Sequence, residues 1–148
     1  MEPSADEPDE VAQLASALRI AVMRLSRRLR SERSDETLGL SQLSALATLS
    51  HNGPLSPSAL AELERIQPPS MTRVLVGLEE RQLVRRAPHP TDRRQAVIEI
   101  TDAGLEIVLE DRRRRAAWLA KRVTSIGEKD RAKLDEALPI LVWLSESE

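Results

Sequence analysis

The segment APHPTDRRQAVIEIT, residues 87–101, places two adjacent arginines, Arg93 and Arg94, directly after an aspartate. Prolines precede this triplet and alternating β-branched residues follow it, which predicts a hairpin with the arginines at its tip. Two guanidinium groups held this close together need an anion between them, and the narrow minor groove of A·T-rich DNA offers one. We predict that Arg94 enters the groove and that Arg93 binds a phosphate. Asp92 is either a solvated turn acid or, as we favour, the partner that holds both arginines.

A second group of candidate DNA ligands follows the sequence Gln67-Pro68-Pro69. Prolines are tolerated in a first helical turn, so a helix is predicted over residues 69–81. At about 100° per residue, one face of this helix is apolar and belongs to the core. The core face consists of Met71, Val74, Leu75 and Leu78. The outward face consists of Pro69, Ser70, Thr72, Arg73, Val76 and Gly77.

Arg73 is the one long side chain on the outward face, and it can reach either guanine O6 and N7 or a phosphate. Ser70 and Thr72 can likewise serve a base edge or a phosphate, whereas Gln67 either reaches a base or caps the helix. We assign DNA binding to five residues of this segment: Gln67, Pro69, Ser70, Thr72 and Arg73.

The chain has no cysteine and only two scattered histidines, His51 and His89, which argues against a disulfide, a thiolate site or a zinc site. The sequence also lacks a nucleophile with a matching base, a phosphate loop and any metal-ligand spacing. We therefore predict that the protein is not an enzyme and has no catalytic residues, metal or cofactor.

Aromatic residues make up 1% of the chain and hydrophobic residues 41%, so the core must consist of Leu, Val, Ile and Ala. Such a core suits helices, and we predict a mainly α fold with a small β-hairpin in a single domain. The net charge of −2 includes five acids and no base in the first ten residues, which leaves the remainder slightly basic. Charge therefore does not argue against a DNA partner.

Apolar residues at helical spacing predict a long first helix over residues 11–32, after an acidic tail, residues 1–10. Ser41 is a predicted cap of the second helix. Ser56 followed by Pro57 predicts the start of a short third helix.

Strands are predicted over residues 83–87 and 96–100. Thr101-Asp102 caps a long helix, and a last helix begins at Glu128. Pro139 lies inside that last helix, where we expect a kink or a break.

Helix, short helix, proline-led helix and basic hairpin, in this order, make a winged helix-turn-helix. From about Val11 to Leu144 the sequence resembles the multiple-antibiotic-resistance regulator (MarR) family. The matching residues are Leu40-Ser41-Gln42, Leu46, Leu49, Gly53-Pro54-Leu55-Ser56, Leu60-Ala61, Ser70 to Arg73, Leu78-Glu79, Pro90, Asp92-Arg93-Arg94, Ile100-Thr101 and Gly104. The wing signature around Asp92-Arg93-Arg94 is the most specific part.

Three residues depart from the family pattern. His89 stands where the family usually has an acid, which loosens the turn or makes it sensitive to pH. Gln82 replaces a helix-ending glycine, so it is either left-handed or the helix ends differently. Gly77 replaces a larger, often charged residue, which costs helix propensity and removes a possible DNA contact.

The resemblance implies a DNA-binding transcription regulator, a repressor, that binds a pseudo-palindromic double-stranded DNA operator as a homodimer. It places helix 69–81 in the major groove and wing 87–96 in the minor groove. It also implies release by small aromatic anions lodged between the dimer helices and the winged domain. Without Phe and Tyr, such an effector would be held by aliphatic walls and by arginines such as Arg27 or Arg28.

The first and last helices each carry more apolar surface than one small winged domain covers, which agrees with dimerisation. The predicted interface residues are Val11, Leu14, Leu18, Leu134, Leu138 and Leu141. We expect a dimerisation region, residues 11–32 and 102–145, intertwined with a DNA-binding region, residues 40–101.

The alternative function is a winged-helix protein-interaction module that does not bind DNA. Such a module would lack the basic residues that cluster here: Arg65, Arg73, Arg81, Arg85, Arg86, Arg93 and Arg94. The run Arg112 to Arg115 faces all sides of a helix, and a solvated or inter-subunit salt-bridging run is favoured over a nucleic-acid patch.

The acidic start of the chain does not resemble a signal peptide, and the apolar run Ile140 to Leu144 is too short for a bilayer. We expect a cytoplasmic protein without a membrane partner.

Overall fold

The computed structural model describes residues 7–33, 35–89, 91 and 96–146. Within these residues six helices flank one two-stranded antiparallel hairpin, which confirms the predicted fold class. The elements are α1 (Glu7–Ser31), α2 (Leu40–Asn52), α3 (Pro57–Leu63), α4 (Pro68–Glu80), β1 (Val84–Pro88), β2 (Ala96–Ile100), α5 (Asp102–Ser125) and α6 (Glu128–Glu146).

Two compact units make up the chain. The winged unit spans residues 33–114, and the terminal unit contains the described residues 7–32 and 115–146. The boundary lies inside α5 rather than before it, because Val108, in the first half of that helix, is buried in the core of the winged unit. Helix α1 begins at Glu7, so residues 7–10 of the predicted acidic tail are helical.

The core of the winged unit is aliphatic, as the composition requires. Its most completely buried side chains are Leu38, Leu46, Leu49, Leu60, Met71, Leu75, Leu78, Ile98 and Val108. The apolar face predicted for α4 lies in this core, where Val74 is half-buried and its other three members are buried. Burying each of these side chains stabilises the fold by about 1.5–3 kcal/mol compared with leaving it exposed. Core packing therefore fixes the position of α4 in the winged unit.

The hairpin pairs Val84 with Ile100 and Pro88 with Ala96. Leu55, in the loop between α2 and α3, adds one further bridge: Ile98 N–H donates to Leu55 O at 2.7 Å, and Leu55 N–H donates to Ile98 O at 3.2 Å. This bridge was not predicted from the sequence, because a single extended residue has no periodicity. It attaches the hairpin to the start of α3.

Helix starts follow local side-chain chemistry. Ser56 Oγ accepts a hydrogen bond from Ala59 N–H at 3.2 Å, and Thr101 Oγ1 accepts one from Gly104 N–H at 3.2 Å, as predicted. The cap predicted at Ser41 is wrong, because α2 begins one residue earlier, at Leu40. Gln42 supplies the contact there, since its Oε1 accepts from Gly39 N–H at 3.0 Å.

Helix α6 continues through Pro139, so no break occurs there. The proline lacks the N–H that would bond the carbonyl four residues earlier, at Asp135. Both residues are exposed, so water can bind the freed carbonyl and the helix continues.

Gly104 lies where α5 comes closest to the hairpin. A Cβ at this position would overlap Leu83 O and would approach Ile100 Cγ1 to 2.9 Å and Leu46 Cδ2 to 3.2 Å. Because one of these neighbours is backbone, Gly104→Ala is expected to lower the free energy of unfolding by about 1–3 kcal/mol. Urea unfolding followed by circular dichroism measures the change.

Gly127→Ala is the matched control, since a Cβ there would meet nothing within 4 Å. We expect it to change stability by less than about 0.5 kcal/mol. Equal effects of the two substitutions would contradict the close packing at Gly104.

Candidate nucleic-acid interface

Helix α4 presents its predicted outward residues to solvent, with the exception of Gly77. Pro69, Ser70, Thr72 and Arg73 are all exposed. Among the described residues Arg73 makes no ion pair or side-chain hydrogen bond, so its guanidinium group retains all of its donors. An unpaired guanidinium on an exposed helix face suits bidentate binding of a guanine or a phosphate.

The two hydroxyl groups on this face differ in what they can offer. Thr72 Oγ1 donates its proton to Pro68 O at 3.0 Å, within its own helix. Ser70 makes no side-chain hydrogen bond with any residue that the structure describes. Ser70 is therefore the better donor to a phosphate, while Thr72 retains acceptor capacity and its methyl group.

Gln67 occupies the position before α4, and its side chain makes no capping hydrogen bond. Of the two roles predicted for Gln67, helix capping is therefore not observed. The exposed amide is available to a base edge or a phosphate.

A cleft of about 520 Å³ lies between the starts of α3 and α4 and Ala96, where β2 begins. Its lining residues are Ser56, Pro57, Ser58, Pro68, Thr72 and Ala96. The lining carries hydroxyl groups and no acidic residue, so negative charge is not repelled from this part of the winged unit.

Gly77 does not belong to the outward face, contrary to the sequence-based assignment. It is half-buried, and a Cβ at this position would overlap Nε2 of Gln42 from α2. The glycine therefore gives room to the side chain that caps α2. The lost DNA contact inferred for Gly77 is an incorrect interpretation, because this position faces another helix.

Of the two alternatives predicted for Gln82, the left-handed backbone conformation is observed. The φ of Gln82 is +57°, a conformation that glycine adopts more readily. Gln82 O accepts a hydrogen bond from Thr101 Oγ1 at 2.7 Å, and Leu83 N–H donates to Leu78 O at 2.9 Å. These bonds hold the strained residue between α4 and β1.

Asp35 and Thr37, which lie before α2, are tied to the same end of α4. Arg81 Nη2 lies 2.6 Å from Asp35 Oδ2, and Arg81 Nη1 donates to Thr37 Oγ1 at 2.9 Å. Asp35 Oδ1 also accepts from Thr37 N–H at 2.8 Å and from the Thr37 hydroxyl at 2.5 Å. The loop before α2 thus braces the end of α4.

These contacts set the ionisation of Asp35. The hydroxyl of Thr37 lowers the pKa of Asp35 from its ordinary 3.8 to about 2; burial opposes this, while the Thr37 N–H and Arg81 add to it. Since the folded pKa is depressed, the ionised carboxylate stabilises the fold above the unfolded pKa. This contribution is lost as the pH falls through about 2.

Asp35→Asn is therefore expected to be less stable than the natural chain at pH 7, with a difference that narrows as the pH falls from about 4 towards about 2. Denaturant unfolding at several pH values measures this difference. Glu36→Gln removes a neighbouring exposed acid that has no described ion pair, and it should change stability little at any pH. A pH-independent loss in Asp35→Asn would contradict the role of the charge.

Several arginines of the predicted basic cluster are already paired. Arg81 pairs with Asp35, Arg85 Nη2 lies 2.7 Å from Glu99 Oε2, and Arg86 Nε donates to Glu79 Oε1 at 2.8 Å. Acids on neighbouring elements thus reduce the positive charge of this surface. Arg73 is left as the unpaired arginine of α4.

The predicted wing residues Asp92, Arg93 and Arg94 lie outside the described residues. At the near end of the wing, His89 Nδ1 lies 3.3 Å from Thr91 N and 3.2 Å from Thr91 Oγ1. His89 thus contacts the residue two positions later, as capping side chains in turns do.

The terminal unit has apolar exposure where the interface was predicted. Val11 is 61% exposed, Leu14 70%, Leu134 40% and Leu138 49%. Leu18 and Leu141 are half-buried. Within residues 9–32 and 115–146, no described side chain is buried, so this unit has no core of its own in a single chain.

Trp118 is half-buried within the terminal unit. The Arg122 guanidinium carbon lies 3.8 Å from the centroid of its ring, and that of Arg28 lies 5.5 Å away. The Trp118 Nε1 is buried without a hydrogen-bond acceptor among the described residues. Arg28 also pairs with Glu32 at 3.1 Å.

Trp143, the second tryptophan, is 66% exposed.

The arginine run at residues 112–115 includes local ion pairs. Arg113 and Arg114 lie 3.3 Å and 3.1 Å from the two carboxylate oxygens of Glu110. Both ion pairs lie within α5, so they do not test the predicted salt bridges between subunits.

The described part of the chain contains no group of three or more His, Cys, Asp or Glu side chains suited to a metal ion. None of its helices combines the length and the apolar character needed to cross a bilayer.

Helices α2, α3 and α4, together with the hairpin joined to them through Leu55, form a winged helix-turn-helix. The third of these helices, α4, has an exposed outward face that carries the unpaired Arg73. The family model described as "MarR family" matches residues 38–96. An uncharacterized HTH-type transcriptional regulator of Mycobacterium bovis is 46% identical over 136 residues, 92% of this chain and 95% of the relative. The HTH-type transcriptional repressor MdtR of Bacillus subtilis is 30% identical over 125 residues, 80% of this chain and 79% of the relative.

Among solved structures, a putative transcriptional regulator from Pseudomonas aeruginosa superposes with a TM-score of 0.83 at 30% identity. The match covers 99% of this chain and 100% of that one. The chain belongs to the MarR family of transcriptional regulators.

Proposed function

We propose that the protein is a repressor that binds a pseudo-palindromic DNA operator as a homodimer. The observation that carries the proposal is the exposed outward face of α4, on which Arg73 makes no ion pair with any described residue. Helix α4 enters the major groove, with Gln67, Pro69, Ser70, Thr72 and Arg73 as its DNA-binding residues. Ser70 donates to a phosphate, because its hydroxyl is uncommitted.

The wing, residues 87–96, lies along the adjacent minor groove in this proposal. Arg94 enters the groove, Arg93 takes a phosphate and Asp92 holds the turn. The support is the chemistry of adjacent arginines in A·T-rich minor grooves. The bridge between Leu55, just before α3, and Ile98 in the middle of β2 adds support, because it joins the hairpin to the same unit as α4.

Dimerisation follows from the terminal unit. Leu14 and Leu138, at 70% and 49% exposure, belong to apolar stripes on helices that lack a buried core in one chain. A second copy supplies the missing burial, with Val11, Leu18, Leu134 and Leu141 beside them. A symmetric dimer reads two half-sites, which is why the operator is pseudo-palindromic.

Repression is proposed because MdtR, a relative over 80% of this chain, is named a transcriptional repressor. We propose a cytoplasmic location, since the operator is there. Release by a small organic anion is proposed from the family resemblance. The Trp118 indole N–H and the guanidinium groups of Arg28 and Arg122 are donors of the kind such an anion needs.

Selection from a random DNA library, followed by titration at several salt concentrations, tests the proposal. We expect one enriched two-fold-symmetric sequence, and an affinity that falls steeply with salt because each phosphate contact releases counterions. A protein-interaction module is the second candidate, supported by the ion pairs that neutralise Arg81, Arg85 and Arg86. Failure to enrich any DNA would favour that module.

A further inference from the structure

Val76 is an apolar residue of α4 that the assignment of DNA ligands left out. It is 44% exposed, whereas the adjacent Leu75 is completely buried. The core therefore does not require Val76, and a β-branched residue is not favoured at an exposed helix position by propensity alone.

Val76 shares one stripe of α4 with Arg73. At about 100° per residue, positions 69, 73 and 76 fall within about 60° of one another on the helix. The residues on either side of Val76 are not available to contact DNA, because Leu75 is buried and Gly77 is covered by Gln42. Glu79 is paired with Arg86. Val76 is thus the apolar member of the exposed stripe.

The proposed function limits what such a side chain can contact. A valine has no hydrogen-bond donor for a phosphate or for guanine, and the apolar group that the major groove presents is the C5-methyl of thymine. The other exposed residues of α4 are polar or are prolines, so no second exposed aliphatic side chain of this helix lies beside Val76.

We propose that Val76 is a specificity-determining residue that reads the C5-methyl group of a thymine within about two base pairs of the contact made by Arg73. Three residues of helix rise by about 4.5 Å, and successive bases of one strand are about 3.4 Å apart. This inference rests on the proposed function, because it requires α4 to lie in the major groove.

The test uses the full-length protein and the operator obtained by selection. Each thymidine in one half-site is replaced in turn by deoxyuridine, which removes only the methyl group, and affinity is measured by fluorescence anisotropy. We expect one replacement to weaken binding of the natural chain about four-fold, the value of one buried methyl group. Val76→Ala should bind the unmodified operator about four-fold more weakly and should not distinguish thymidine from deoxyuridine at that position.

Val74→Ala is the matched control, because it truncates a valine on the half-buried face of the same helix. It should keep the deoxyuridine response of the natural chain. An identical deoxyuridine profile in Val76→Ala and the natural chain would overturn the inference and leave the proposed function standing. Failure of the natural chain to select any DNA would overturn both.

Discussion

Replacing Leu14 and Leu138 together by glutamate is expected to convert the protein from a dimer to a monomer at micromolar concentration, with the winged unit still folded. Both side chains are exposed in one chain, at 70% and 49%, so the substitutions remove no contact within the protomer. In the proposed dimer they bury two charges from each chain in an apolar interface, which costs several kcal/mol. Affinity for the full operator should fall about 100-fold or more, because the two half-sites are no longer bound together.

Light scattering gives the oligomeric state, circular dichroism verifies folding, and anisotropy with the selected operator gives affinity. Gln13→Glu is the control, since it adds the same charge to an exposed position of α1 that lies off the apolar stripe. It should remain dimeric. A Leu14→Glu, Leu138→Glu protein that stays dimeric would contradict the proposed interface.

Arg73→Ala is expected to cause the largest loss of operator affinity from a single side chain of α4. If Arg73 binds guanine, the variant should lose about 1–3 kcal/mol and should no longer discriminate at one base position. If it binds a phosphate, affinity should fall almost uniformly across operator variants, and the salt slope should decrease by about 1. Titrations against single-base operator variants at several salt concentrations distinguish the two contacts.

Arg73→Lys sharpens this test, because lysine retains the charge and loses the bidentate geometry. It should restore binding if the contact is a phosphate and should fail to restore specificity if the contact is guanine. Arg94→Ala should instead weaken the preference for A·T pairs that flank the major-groove contacts. Unchanged affinity of Arg73→Ala at every salt concentration would remove Arg73 from the interface.

Local chemistry explains why much of the winged unit could be predicted. The starts of α3 and α5 depend on Ser56 and Thr101, whose hydroxyl groups bond amides three residues away. The core face of α4 follows from helical periodicity, and the caps, prolines and strand-like runs gave the order of the elements. Such signals need only neighbouring residues, so the sequence alone was sufficient for the fold class and for the outward position of Arg73.

Contacts between distant residues decided the rest. Gly77 was taken for a missing DNA contact, whereas the fold places Gln42, 35 positions away in the sequence, against it. The sequence analysis included Arg81 and Arg86 in the basic cluster. In the structure these arginines form ion pairs with Asp35 and Glu79, respectively. Of the kink or break expected at Pro139, the break does not occur, because that proline lies at an exposed position where the lost hydrogen bond is tolerated.

The sequence by itself therefore determined the class of fold and the helix that can enter a groove. It also determined the apolar stripes on the first and last helices, because all of these depend on residue type and spacing. Only the tertiary structure decided which arginines keep an unpaired charge and which outward positions are covered by a neighbour. It also joined Leu55 to the hairpin and left Val76 exposed beside Arg73. The physical reason is that ion pairs, overlap and exposure depend on distances between residues far apart in the chain, and periodicity carries no information about those distances.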